Sequence, residues 1–157
     1  MRRKDREVTG KKKIEKIIQN CRVVRLAFQD QEAPYIVPVN FGYEWLDDGL
    51  TVYVHCAGEG KKLELMKTCP KVGLEMDCGH QLVGEGKACA YGFLFQSVIG
   101  WGIAEILENP EDKRHGLERL MLQQTGRQFS ISEQDTHAVT VFRVRVQSIS
   151  AKARNEF

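Results

Sequence analysis

No two cysteines of this chain stand two residues apart, although it has five of them, Cys21, Cys56, Cys69, Cys78 and Cys89. An odd number without a CxxC pair argues against a disulfide framework and against a structural zinc site. Reduced thiols in a cytoplasm fit better. Cys21 and Cys56 fall inside apolar patterns, as small buried residues do. No apolar run reaches transmembrane length, and no secretory apolar segment follows Met1. Both absences favour a cytoplasmic protein with no membrane partner. Charge of one sign does not dominate either. The 23 basic and 21 acidic residues leave a net +2, so there is no global signature of a polyanion binder. The chain also lacks internal repeats, low-complexity linkers and a Rossmann fingerprint, and residues 1–157 read as a single domain.

What positive charge there is concentrates in Met1–Lys16, which holds Arg2, Arg3, Lys4, Arg6, Lys11, Lys12, Lys13 and Lys16. Asp5, Glu7 and Glu15 dilute it and no aromatic residue interleaves with it, so a solvated or dimer-packing arm is favoured over a nucleic-acid contact. Thr9 reads as the cap of a helix to about Asn20, with Ile14, Ile17, Ile18 and Cys21 on one face. Strands are expected at Val23–Phe28, Pro34–Tyr43, Leu50–Cys56, around Val72–Met76, at Phe95–Leu107 and at Ala138–Ser150. Asp47-Asp48-Gly49 is a turn signal that makes residues 34–56 a hairpin. Pro38 marks an edge, a bulge or a place where backbone faces a ligand. Asn109-Pro110 opens a helix whose apolar face carries Leu117, Leu120 and Met121. Residues 79–92 are rich in glycine and fit a short strand around Leu82 or at Lys87–Ala90, or a mobile loop. Six strands joined mostly by short turns, with two or three helices, predict a mainly antiparallel β-barrel with peripheral helices.

The segment Tyr53-Val54-His55-Cys56-Ala57-Gly58-Glu59-Gly60-Lys61-Lys62 carries the chemistry. It reads as a strand end, a glycine turn and the start of a helix over Lys61–Thr68. The first N–H groups of a helix have no intrahelical partner, and the dipole adds positive charge there. Lysines in that turn are unfavourable for the helix alone but suit a bound phosphate. The alternative is a surface helix with solvated lysines and a turn histidine. His55 stands in this motif, whereas His80, His115 and His137 have polar neighbours and are expected to face solvent. Cys56 should face away from His55. Trp101 and Tyr43 are expected either beside a ligand or in the core of a dimer, with the core favoured.

Four stretches, in order, are similar to one family: Met1–Thr9, Pro34–Tyr43, Tyr53–Lys62 and Ser97-Val98-Ile99-Gly100-Trp101-Gly102. Together they resemble the nitroimidazole-resistance (Nim) family of the pyridoxamine 5'-phosphate oxidase-like superfamily. The resemblance implies an FMN-binding split β-barrel that forms a homodimer with flavin at the interface. It implies that the backbone around Pro38, Val39, Asn40 and Phe41 lies along the flavin ring and that Lys61 and Lys62 meet the phosphate. It also implies that Ser97 and Val98 line the site and that His55 lies near flavin or substrate. There His55 is either a proton donor or a purely structural contact. The activity implied is reduction of a nitroimidazole, a nitroaromatic or another small electron acceptor. The alternatives are a non-catalytic flavin- or haem-binding redox module of the same fold, or a cofactor-free nucleic-acid binder. Two departures stand out. Gly10 follows Thr9 where many relatives carry an acidic residue, and Lys152–Phe157 lack the arginine–tryptophan–proline pattern of oxidases acting on vitamin B6.

Overall fold

The computed structural model describes residues 3–154. The alternation in Val23–Phe28 puts Val24, Leu26 and Phe28 at or below 1% exposure while Arg25 faces outward. Repeated along the chain, that pattern builds one eight-stranded antiparallel sheet. Its strands are β1 (Glu7–Val8), β2 (Val23–Phe28), β3 (Tyr35–Asn40), β4 (Gly42–Leu46), β5 (Gly49–Cys56), β6 (Lys71–Val83), β7 (Gly92–Leu107) and β8 (Thr140–Ala153). The hydrogen-bonded order is β3-β2-β6-β7-β8-β5-β4, with β1 added on β8. The sheet curls around one core that includes Ile17, Val24, Phe28, Phe41, Val54, Met76, Val98 and Phe142. The path ends at β3 and β4 without closing, the split-barrel arrangement that the family resemblance implies. Around the sheet lie α1 (Lys11–Asn20), α2 (Lys61–Thr68), α3 (Pro110–Thr125) and the short α4 (Glu133–His137). Among the described residues no helix is long and apolar enough to cross a membrane.

The expected Pro34–Tyr43 strand divides in two at Phe41. That side chain is fully buried and its carbonyl accepts a 2.8 Å hydrogen bond from Gln124 Nε2, so the chain leaves one ladder and enters another. The hairpin is therefore β4–β5, while β3 pairs with β2. Gly10, not Thr9, occupies the cap of α1 and supplies no side-chain acceptor. The glycine-rich segment is strand only as far as Val83, where β6 ends after a register shift between Cys78 and Gln81, and again from Gly92, with a short 3-10 turn at Ala88–Ala90 in the connection between them. The expected polar tail begins as strand, since Ala151 and Ala153 bury their side chains against the core. A further short helix, α4, starts with a capping box between Ser132 and Asp135. Asn109 caps α3 with Pro110 in its first turn, as the sequence predicts.

Helix α3 lies flat on the outer side of β4 and β5, over a second cluster of Tyr53, Leu107 and Val141. Its buried Gln123 donates from Nε2 to the carbonyls of Ile18 (3.0 Å) and Cys21 (2.8 Å), satisfying the open end of α1.

Candidate functional site

The β5–α2 turn has the geometry of an anion cradle. Gly60 takes φ +135°, which disfavours any residue with a Cβ, and nothing lies within 4 Å of where that atom would be. Its carbonyl accepts from the N–H groups of Leu63 (2.9 Å) and Glu64 (3.3 Å), and no side chain caps α2. Among the described residues that leaves the N–H groups of Lys61 and Lys62 to solvent or a ligand.

The two lysines part company there. Lys61 Nζ lies 2.6 Å from Asp30 and 5.2 Å from the centre of the Tyr35 ring, tying the β2–β3 loop to α2. The hydrogen bond from Lys61, helped by the Gln31 N–H, holds the Asp30 carboxyl below its ordinary range. Lys62 is half-buried and has no ion pair among the described residues. Its charge pulls the Cys56 thiol down, although burial dominates and keeps that thiol above its ordinary value. His55 faces solvent opposite Val141, while Cys56 packs on the core, the opposite-face arrangement expected of neighbours in a strand.

The remaining site residues are distributed as follows. Pro38 and Asn40 face outward on the edge strand β3, Val39 is half-buried and Phe41 is in the core. The Asn40 amide donates to the Arg22 carbonyl at 3.0 Å. Val98 is fully buried between Met76 and Ala151, so only its backbone can meet a ligand. Ser97 faces outward, flanked by Asp77 and Lys152. Along the ladders, Ser97 is six steps from Ile103, which aligns through Arg145 with Thr51, itself four steps before His55. That is about 30 Å along the strand direction. Within one chain the sheet therefore gathers His55 and Lys62 at one end and leaves Ser97 near the other.

The two aromatics lie on different faces of the sheet. Tyr43 packs against the core, but Trp101 is 39% exposed on the outer face with Lys71 Nζ 4.4 Å above its ring.

His115 does not merely face solvent. Glu44 Oε2 lies 2.9 Å from His115 Nε2 and 3.8 Å from Arg119 Nε, while the Tyr53 hydroxyl donates to its other oxygen. This cluster borders a cavity of about 380 Å³ lined by Glu15, Tyr43, Glu44, Trp45, Arg119 and Leu122. The four-residue spacing of His115 and Arg119 was its sequence signal, but pairing them with Glu44 required the β4–α3 packing. Burial pushes the Glu44 carboxyl up, but hydrogen bonds from Tyr53 and His115 and the nearby positive charges leave it below its ordinary value of 4.5. A carboxyl depressed on folding stabilises the fold above its unfolded value and loses that contribution as pH falls through the folded one. Glu44→Gln should therefore cost about 2 kcal/mol at pH 7, and the gap to wild type should shrink below pH 4.5. Urea melts from pH 7 to pH 3 on both proteins check this, and a gap independent of pH contradicts it.

A family model described as pyridoxamine 5'-phosphate oxidase matches residues 10–153. A candidate 5-nitroimidazole antibiotic resistance protein from Bacteroides thetaiotaomicron is 34% identical, with 94% of this chain and 86% of that one covered and a TM-score of 0.79. A flavocytochrome from Azotobacter vinelandii is 18% identical, with 99% and 72% covered and a TM-score of 0.79. An FAD- and haem-binding protein from Mycobacterium smegmatis is 14% identical, with 97% and 75% covered and a TM-score of 0.78. These last two share the fold. Among curated proteins none matches.

Proposed function

Because this chain belongs to the pyridoxamine 5'-phosphate oxidase family, we propose that it is an FMN-binding flavoprotein that reduces a small electron-poor acceptor such as a nitroimidazole or nitroaromatic. The observation that carries the reading is the start of α2, with N–H groups that no side chain caps, a Lys62 without an ion pair among the described residues, and His55 six residues before the helix. The fit to FMN rests on chemistry present in the chain. The phosphate needs N–H donors and a cation, and both are there without obstruction at Gly60. Lys62 holds the phosphate and Lys61 supports it from its seat on Asp30. Pro38 and its neighbours offer a strand edge to the ring. His55 holds a proton at a ring nitrogen for the reduced acceptor. When bound, the flavin supplies the hydride, and a reduced nicotinamide or another cellular donor reloads it. The sequence carries no Rossmann fingerprint, so a nicotinamide donor would bind only transiently.

We place the flavin between two copies of this chain. Ile36, Ile99, Trp101 and Ile103 are 60%, 54%, 39% and 38% exposed on one outer sheet face. An apolar face of that kind is suited to a partner surface. A second copy would also bring its Ser97 end toward His55 of the first, spanning the distance one chain leaves open.

The test begins with the visible spectrum of protein purified without added cofactor, then after FMN loading and desalting. A retained flavin spectrum near one per chain supports the proposal, and a chain that cannot keep FMN overturns it. Replacing both Lys61 and Lys62 by alanine should weaken FMN binding by about 1.5–3 kcal/mol for each charged hydrogen bond lost. In the separate single variants Lys62→Ala should carry the larger share, because Lys61 is already paired. Unchanged FMN affinity in the double variant would remove the phosphate assignment. A haem-binding module with His55 as an axial ligand is the second reading, since two proteins of this fold bind haem. A Soret band in place of the flavin peaks would favour it.

A further inference from the structure

Asp30 gives the two lysines at the start of α2 different surroundings. It stands in the loop between β2 and β3, with 22% of its side chain exposed, and both of its carboxylate oxygens are engaged. Oδ1 accepts from the Gln31 N–H at 2.8 Å, and Oδ2 lies 2.6 Å from Lys61 Nζ. The same ammonium is 5.2 Å from the centre of the Tyr35 ring, so a carboxylate and an aromatic face hold it together. Just past the last turn of α2, Cys69 Sγ lies 3.7 Å from Gln29 Oε1 of the same loop. The loop thus touches both ends of the helix, which keeps Asp30 beside Lys61. What remains at the cradle is Lys62, without an ion pair among the described residues, and the N–H groups of Lys61 and Lys62. Lys67, the next cation along α2, is six residues on, about 9 Å along the axis.

We infer, on the flavin reading above, that Asp30 determines which flavin nucleotide the site takes: by engaging Lys61 it leaves the cradle one free lysine, which suits the single terminal phosphate of FMN and disfavours the two linked phosphates of FAD. A terminal phosphate concentrates its charge, about −1.5 to −2 at pH 7, on three oxygens of one group. One ammonium and two N–H groups answer it. FAD divides its charge between two phosphates, and the second needs a cation of its own. Lys61 is the nearest candidate in the sequence, but its charge is already balanced by Asp30. The Asp30 carboxylate also repels any further anion brought up to that ammonium. Removing the carboxylate charge frees Lys61 for the second phosphate, while a terminal phosphate already held by Lys62 gains less.

The test measures the affinities of FMN, FAD and riboflavin for wild type and Asp30→Asn by isothermal titration calorimetry. The asparagine keeps an oxygen for the Gln31 N–H and removes only the charge. Wild type should bind FMN more tightly than FAD or riboflavin. In Asp30→Asn the affinity for FAD should rise about fivefold and that for FMN at most about twofold, with riboflavin unchanged. Adding Lys61→Ala to Asp30→Asn should remove the FAD gain. Equal gains for FMN and FAD, no gain for FAD, or a gain that survives Lys61→Ala would overturn the inference. So would a wild type that binds FAD as tightly as FMN. In each of these cases the phosphate site itself stands, provided FMN outbinds riboflavin. A wild type that binds riboflavin as tightly as FMN, or binds no flavin, removes the phosphate site and the role of Asp30 with it.

Discussion

Gly42→Ala should lower the melting midpoint by about 10 °C, from a cost of about 3 kcal/mol or more. The reason is local. A Cβ at Gly42 would stand 2.2 Å from the Leu120 backbone nitrogen and 2.3 Å from the Arg119 carbonyl carbon. These are backbone atoms of a helix, so no rotamer change relieves the clash. Either α3 lifts from β4 or β4 leaves its ladder with β5. Lifting α3 exposes Tyr53, Leu107 and Val141 and withdraws Gln123 from the end of α1. One added methyl group therefore loosens two cores. Gly58→Ala is the control, because there the only neighbour within 4 Å among the described residues is Thr140 Oγ1 at 3.9 Å. It should stay within about 1 kcal/mol of wild type. Thermal melts followed by circular dichroism measure both. Equal midpoints for Gly42→Ala and wild type would mean that α3 does not seat on β4 as described.

Ile99→Glu combined with Trp101→Glu should convert the proposed dimer to a monomer and reduce FMN affinity at least ~100-fold, while the chain stays folded. Both side chains lie on the outer face, and their removal leaves the inner core intact. Ile99 stands opposite Glu75 and Ser150, and Trp101 opposite Gly73 and Ser148, so the added carboxylates land in the middle of the proposed contact. Burying an unpaired carboxylate against a like copy is costly enough to abolish association. Size-exclusion chromatography with light scattering reports the mass, and FMN fluorescence quenching reports the affinity. A variant that remains dimeric places the interface elsewhere. A monomer that keeps wild-type FMN affinity refutes the shared site while leaving flavin binding standing.

Much of this was legible in the residues, for identifiable reasons. Val23–Phe28 and Lys61–Thr68 occur at their expected bounds because the first alternates strictly and the second is framed by Gly60 and Cys69-Pro70. Opposite faces for His55 and Cys56 follow from the strand period alone. What local pattern could not show were relations across the chain. The break at Phe41 depends on Gln124, more than eighty residues away. The Glu44–Tyr53–His115 cluster requires α3 to lie across β4 and β5. The Lys61–Asp30 pair, which distinguishes two adjacent lysines of identical chemistry, depends on where the β2–β3 loop falls. Strand ends were lost where glycines masked the apolar alternation, as in residues 79–92.

An open sheet has a cost in the crowded cell that a closed barrel avoids. Strands β3 and β4 each leave one margin without a hydrogen-bonded neighbour, and such margins can recruit strands from other molecules into aggregates. This chain guards the two differently. β4 has only five residues and α3 lies across it, whereas β3 carries Pro38, which has no N–H to offer an incoming strand. Replacing Pro38 with valine would remove that protection, and the solubility of the folded protein would then depend on how fully its β3 margin is covered by other means.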